Sequence, residues 1–164
     1  MSLSRPELLA VHHDLENFAS GEDSLDDWLR RRAQANQVTG ASRTYVVCEN
    51  LRVAGYYALA SGAVVTRDVP GRFRRNMPDP IPVIILARLA VDRAWQGQGL
   101  GRGLFRDAAE RVARVAETIG VRGILVHAIS EPARDFYLRL GFDPWPGHPM
   151  MLVATIADLQ HALK

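Results

Sequence analysis

Hydrophobic and polar positions recur along the chain in two rhythms. The run Val83 to Val91 (VIILARLAV) is apolar almost throughout and predicts a central strand. After it, Leu100, Leu104, Ala108, Val112 and Val115 recur at spacings of four and three, with charged residues between them. That stripe predicts a helix over about 100–118, stopped by Gly120. Residues 122–128 (RGILVHA) predict the next strand, so 83–128 forms a strand–loop–helix–strand unit with parallel pairing.

Upstream, Phe18, Leu25, Trp28 and Leu29 fall at near-helical spacing and predict a helix over about 24–37. Ser24 and Asp27 form a capping-box-like pair at its start, and Gly40 ends it. Residues 43–49 and 52–60 are rich in β-branched and aromatic residues around Asn50-Leu51 and predict a hairpin. Residues 62–68 predict a third strand. The segment PGRFRRNMPDPIP then interrupts regular structure with Pro70, Pro78, Pro80 and Pro82. Downstream, 131–140 predicts a short helix with Pro132 in its first turn. Strands are expected from Phe142 and over 150–155, and a last helix over 155–163. Residues 7–11 suit a short first strand. A single α/β domain over 1–164 is expected, since nothing resembles a linker or repeat.

Composition adds little to that fold and something to its chemistry. Apolar content is 48%, charged content 23%, and net charge +2. Lys164 is the only lysine, so the other positive side chains are arginines, whose planar fork suits phosphates. Genomic base composition is the competing explanation. Arg72, Arg74 and Arg75 around Phe73 form the densest local cluster. Cys48 is the single cysteine, which excludes an internal disulfide and predicts a core thiol. His12 and His13 on a strand would face opposite ways, so no metal is expected. The N-terminus lacks an apolar signal core, and no run approaches a spanning helix, so a cytoplasmic protein is expected.

The candidate chemistry lies in Leu86 to Arg106. A strand feeding a glycine-rich turn at a helix N-terminus suits a phosphate ligand, because unpaired N–H groups and the helix dipole both face it. A P-loop is excluded for want of a Gly-Lys pair. A Rossmann fingerprint is set aside by the G-x-G-x-G-x-G spacing and by the several strands that come first.

What remains, Gln96-Gly97-Gln98-Gly99-Leu100-Gly101, resembles the Q/R-x-x-G-x-G/A signature of the GNAT superfamily of N-acetyltransferases. Leu89-Ala90-Val91 followed by Asp92 resembles that family's fourth strand. Ala133 to Tyr137 with Leu140-Gly141-Phe142 resembles its A-x-x-F-Y-x-x-x-G-F segment. The three parts occur in family order over about 83–143. The resemblance implies a mixed sheet flanked by helices, with the fourth and fifth strands splayed, and acetyl-CoA as cofactor. It places the backbone of Leu89, Ala90 and Val91 along the pantetheine arm. It makes Gln96, Gly97, Gln98, Gly99, Leu100, Gly101 and Arg102 the pyrophosphate cradle. Ser130, where the family often has asparagine, and Phe136 join the cofactor set. Tyr137 matches the tyrosine that protonates the departing thiolate. A phenol of pKa about 10 is protonated at neutral pH, whereas a thiol of about 8.5 leaves as thiolate.

A narrower resemblance concerns the substrate. Phe18-Ala19-Ser20-Gly21 with Leu25-Asp26-Asp27-Trp28-Leu29 resembles the F-x-x-G-x-x-x-L-D-x-W/F-L opening of GNAT toxins from bacterial toxin–antitoxin pairs. Those toxins acetylate the α-amine of aminoacyl-tRNA, stop translation, and are neutralised by a ribbon-helix-helix antitoxin. The absence of a recognisable general base agrees. An α-amine of pKa near 8 is partly neutral at pH 7, whereas a lysine amine near 10.4 needs more help. The resemblance then gives Arg30, Arg31, Arg74, Arg75, Arg88 and Arg93 a use as tRNA contacts. Phe73 or Trp95 would be available to stack on a base. A homodimer is implied by family likeness. Two alternatives stay open: a GNAT enzyme for a small amine or protein N-terminus, and a CoA-binding module without catalysis.

Overall fold

A computed structural model describes residues 2–163. The strands β1 (Glu7–Leu8), β2 (Arg43–Glu49), β3 (Arg52–Val64), β4 (Ile81–Val91), β5 (Gly123–His127), β6 (Asp143–Trp145) and β7 (His148–Thr155) hydrogen-bond in the order β1-β2-β3-β4-β5-β7-β6. The chain divides into two compact units. One comprises residues up to Ala60 with Ala87–Ala108; the other comprises Ser61–Leu86 with residues from Ala109 on.

In the first unit β1 (Glu7–Leu8) pairs antiparallel with β2 (Arg43–Glu49), which pairs antiparallel with β3 (Arg52–Val64). The hairpin turns at Asn50, whose φ of 56° is the left-handed value that tight turns require. The expected helix over 24–37 is two helices, α1 (Asp23–Arg31) and α2 (Ala33–Thr39). Arg32, at φ −120°, leaves the helical region between them, and Ala33 beyond it is fully buried. The Ser24 capping box does not form. The helix starts one residue earlier, with Glu22 as an uncapped N-terminal residue. Leu25, Leu29 and Ala33 pack with Phe18, Val46, Val53, Tyr56 and Ala90 into one apolar core. Tyr56 is fully buried and donates its hydroxyl to Leu25 O at 2.6 Å, which satisfies the polar end of an otherwise apolar side chain.

Two longer elements run through both units: β4 (Ile81–Val91) and α4 (Leu100–Ala116). The start of α4 is fastened within the first unit, where the Tyr57 hydroxyl donates to the Asp107 carboxylate.

In the second unit the remainder of β3 replaces the expected third strand. The chain stays in β3 to Val64 and then makes a 3-10 turn at Thr66–Asp68. Gly62 permits this, because a Cβ there would stand 2.6 Å from Ile85 Cδ1. The proline-rich segment holds one helical turn, α3 (Gly71–Arg74). β4 pairs in parallel with β5 (Gly123–His127) through Ile84↔Ile124, Ile85↔Leu125 and Leu86↔Val126, then continues to Val91 beyond that ladder. α5 (Glu131–Arg139) follows. Then come β6 (Asp143–Trp145) and β7 (His148–Thr155), which pair antiparallel. β7 also pairs antiparallel with β5. Thr155 and Asp158 cap α6 (Ile156–Ala162) reciprocally. The mixed α/β architecture is the one expected.

Candidate acetyl-transfer site

The end of β4 leads into a 3-10 turn over Arg93–Trp95 and then the glycine loop. Asp92 organises the turn. It is buried, and its Oδ1 accepts from Ala94 N at 2.9 Å while Oδ2 accepts from Ala19 N at 3.0 Å. Gly97 and Gly99 take φ of +79° and +84°, with Gln98 between them. Apart from the adjoining residues, no atom of the described residues lies within 4 Å of the position a Cβ would occupy at either glycine. A backbone of this shape turns successive N–H groups into a concave, anion-binding nest. It opens onto the N-terminus of α4, whose first turn carries no acidic side chain. The loop therefore fits a diphosphate, and its residues Gln96 to Arg102 lie in sequence along it, with Arg102 exposed.

Of the other expected cofactor residues, Leu89 is half-buried, and Ala90 sends its methyl into the first unit's core. Val91 O already accepts from Gln96 Nε2 at 2.8 Å. In the second unit Ser130 is the N-cap of α5, its Oγ accepting from Ala133 N at 3.2 Å. Phe136 meets the Tyr137 ring edge to face at 5.1 Å, and Phe142 meets it from another side at 5.5 Å. Tyr137 is 8% exposed, and burial pushes its pKa well above the ordinary phenol value. Its hydroxyl has no hydrogen-bond partner among the described residues.

The arginines divide by occupation. Arg30 donates to Phe18 O at 2.8 Å and lies 3.4 Å from Asp27. Arg88 donates to Ala87 O and lies over the Trp28 ring, 5.1 Å from its centroid. Arg93 lies against Gly21, its Nε 3.3 Å from where a Cβ would stand. Arg31, Arg74 and Arg75 are exposed, and their side chains make no hydrogen bond or ion pair among the described residues. Arg72 differs from its neighbours, being committed to Asp143 and Asp158. Phe73 is 2% exposed within the second unit's core, which removes it as a base-stacking platform; Trp95 is half-exposed.

Two other sequence expectations concern reactive side chains. Cys48 is buried, and burial followed by the nearby Glu7 charge pushes its thiol up to about 11, so it is an unreactive core residue. His12 and His13 do not point apart as expected on a strand. The chain turns there, and their rings lie 4.3 Å apart, with Glu7 close enough to complete a cluster. His13 Nδ1 accepts from Ala10 N at 2.9 Å, which leaves the ring proton on Nε2, 2.8 Å from Glu7 Oε1. A histidine paired at both nitrogens offers no lone pair to an ion. No helix among the described residues is long and apolar enough to cross a membrane.

Residues 40–144 match the model of the acetyltransferase (GNAT) domain. The tRNA-acetylating toxin of Mycobacterium tuberculosis (strain ATCC 25618 / H37Rv) is 53% identical over 155 residues, spanning 94% of this chain and 93% of the relative. AtaT complexed with acetyl-methionyl-tRNAfMet has a TM-score of 0.91 at 29% identity, over 99% of this chain and 100% of that one. A tyrosine-to-phenylalanine mutant of AtaT, bound to the C-terminus of the antitoxin AtaR and acetyl-CoA, has a TM-score of 0.85 at 29% identity. It covers 98% of this chain and 97% of that one. The domain match and the 53% identity establish that the chain belongs to the GNAT acetyltransferase family.

Proposed function

We propose that residues 1–164 form one N-acetyltransferase domain that moves an acetyl group from acetyl-CoA to the α-amine of aminoacyl-tRNA. The consequence is arrest of translation, making the protein the toxin of a toxin–antitoxin pair. The observation that carries this reading is the 53% identity to a tRNA-acetylating toxin across 94% of the chain. The reading includes a ribbon-helix-helix antitoxin, a homodimer and a cytoplasmic location, which are the expectations the toxin-like sequence pattern carries.

Acetyl-CoA, when bound, supplies an activated thioester carbonyl. The N–H groups of Gly97 to Arg102 would hold its diphosphate, and the backbone of Leu89 to Val91, apart from the occupied Val91 carbonyl, would align the pantetheine arm. Ser130 fixes the start of α5, and through it Phe136 and Tyr137. Tyr137 keeps its proton at neutral pH because burial disfavours the phenolate, and it gives that proton to the departing thiolate. No residue need take the amine's proton beforehand, since an α-amine of pKa near 8 is partly neutral at pH 7. Arg31, Arg74 and Arg75 offer their guanidinium groups to tRNA phosphates. Arg30, Arg88 and Arg93 add charge from positions that protein contacts already hold.

The test is acetylation of charged tRNA against acetylation of a free amino-acid ester, each over a range of salt. The expected result is a steep fall for charged tRNA and a flat response for the ester. Equal salt response, or transfer to the ester alone, favours a small-amine enzyme.

A further inference from the structure

The turn Phe18-Ala19-Ser20-Gly21 is held on every side. Phe18 O accepts from Arg30, Ala19 N donates to Asp92, and Ala19 O accepts from Arg93 N at 2.9 Å. Ser20 N donates to both oxygens of Asp26 at 3.1 Å, and Ser20 Oγ donates to Asp26 Oδ1 at 2.6 Å. Ser20 O accepts from Gln96 Nε2 at 2.7 Å, and the same nitrogen donates to Val91 O at 2.8 Å. One amide group thus joins the last residue of β4 to the 18–21 turn, and the backbone of that same glutamine leads directly into Gly97.

The chemistry of the amide decides what Gln96 does. Both partners are carbonyl oxygens, so the NH2 group must face them, and its two protons are spent there. The atom left over, Oε1, is an acceptor and has no attraction for an anion. The Gln96 side chain therefore has no donor to give to a diphosphate. It fixes the direction in which the following amides leave the strand.

We infer that Gln96 is a positioning residue for the cofactor: its side-chain amide clips Val91 to Ser20 and so aims the Gly97 to Arg102 amides at the diphosphate. Asp92 shares the task by tying Ala19 to the same strand end. The inference rests on the reading of this loop as a coenzyme A cradle. It also gives the Phe18 to Asp26 pattern a cofactor-side role in place of a substrate-side one, because the loop it braces is the one that meets the diphosphate.

The experiment compares the full chain with Gln96→Met, which keeps the length and removes both donors. Coenzyme A binding is measured by calorimetry without acceptor, and transfer is measured from acetyl-CoA and from acetyl-pantetheine, which lacks the diphosphate. The expected result is a decrease of about tenfold or more in coenzyme A affinity and a matching rise in KM for acetyl-CoA. kcat/KM should fall several-fold less with acetyl-pantetheine than with acetyl-CoA. Asp92→Asn, which cannot accept from both Ala19 and Ala94, should show the same selectivity. An equal decrease with both donors overturns the inference, because it marks a general structural defect. Undiminished coenzyme A binding by Gln96→Met overturns it alone, whereas a wild-type chain that binds no coenzyme A overturns the cofactor reading beneath it.

Discussion

Arg72 grips Asp158 with two nitrogens, at 3.0 Å and 2.7 Å, and reaches Asp143 at 2.6 Å. Asp158 is also the capping partner of Thr155 at the start of α6. Burial pulls the Asp158 carboxyl upward, but hydrogen bonds from Arg72 and Thr155 outweigh it and hold the pKa below the ordinary value. A carboxylate whose folded pKa is depressed adds stability above its unfolded pKa of about 3.9, and that stability is lost as pH falls through the lower folded value. The Arg72 side chain is half-exposed, so solvent screening limits the effect. Arg72→Ala should lower unfolding free energy by about 1 kcal/mol at pH 7, read by urea denaturation, and the gap to wild type should close in acid.

Tyr137→Phe should fold normally, since the ring packing on Phe136 and Phe142 survives and the hydroxyl bonds to none of the described residues. Acetyl transfer should fall by about a hundredfold or more, the usual scale for removing a positioned acid. Because burial raises the tyrosine pKa, the wild-type kcat/KM should not decline from tyrosine ionisation between pH 7 and about pH 10. A falling limb with a midpoint inside that range would assign the proton to another group.

Gly99→Ala tests the nest. Its φ of +84° costs an L-residue about 1 kcal/mol, so melting should shift by a few degrees only. The new methyl enters open space beside the loop amides. Coenzyme A affinity should therefore fall by far more than stability does, by about tenfold or more, measured by titration calorimetry.

Arg74→Glu with Arg75→Glu should weaken acetylation of charged tRNA while leaving KM for acetyl-CoA and the melting temperature unchanged. Neither side chain is tied to another among the described residues, so the fold there does not depend on its charge. For every phosphate that goes unneutralised, the slope of log KM against log salt should flatten by about 0.7 to 0.9.

The elements with strong periodicity were legible in the sequence. Val83 to Val91 and the Leu100 to Val115 stripe carry the site, and both lie where the pattern puts them. The errors have local causes. Arg32 breaks a helix at a residue that any helical pattern tolerates, and no residue type there marks the break. Val64 extends β3 across Gly62, a residue that reads as a boundary until the Ile85 side chain is seen above it. Phe73 looks like an exposed aromatic among arginines, yet one helical turn rotates it into the core. In the loop, the glycine spacing marked the left-handed turns at Gly97 and Gly99, whereas the braces did not show. Gln96 meets Ser20 and Asp92 meets Ala19 across more than seventy residues of sequence, and the sign of it was a toxin-like pattern whose physical role the residues alone do not state.

The central claim is tested most directly by incubating the purified chain with labelled acetyl-CoA and two pools of total tRNA. One pool is aminoacylated; the other has been deacylated by mild alkali. The α-amine reading predicts label in the charged pool alone, released by later alkaline treatment as an N-acetyl amino acid. Label in the deacylated pool, or none in either, would contradict it.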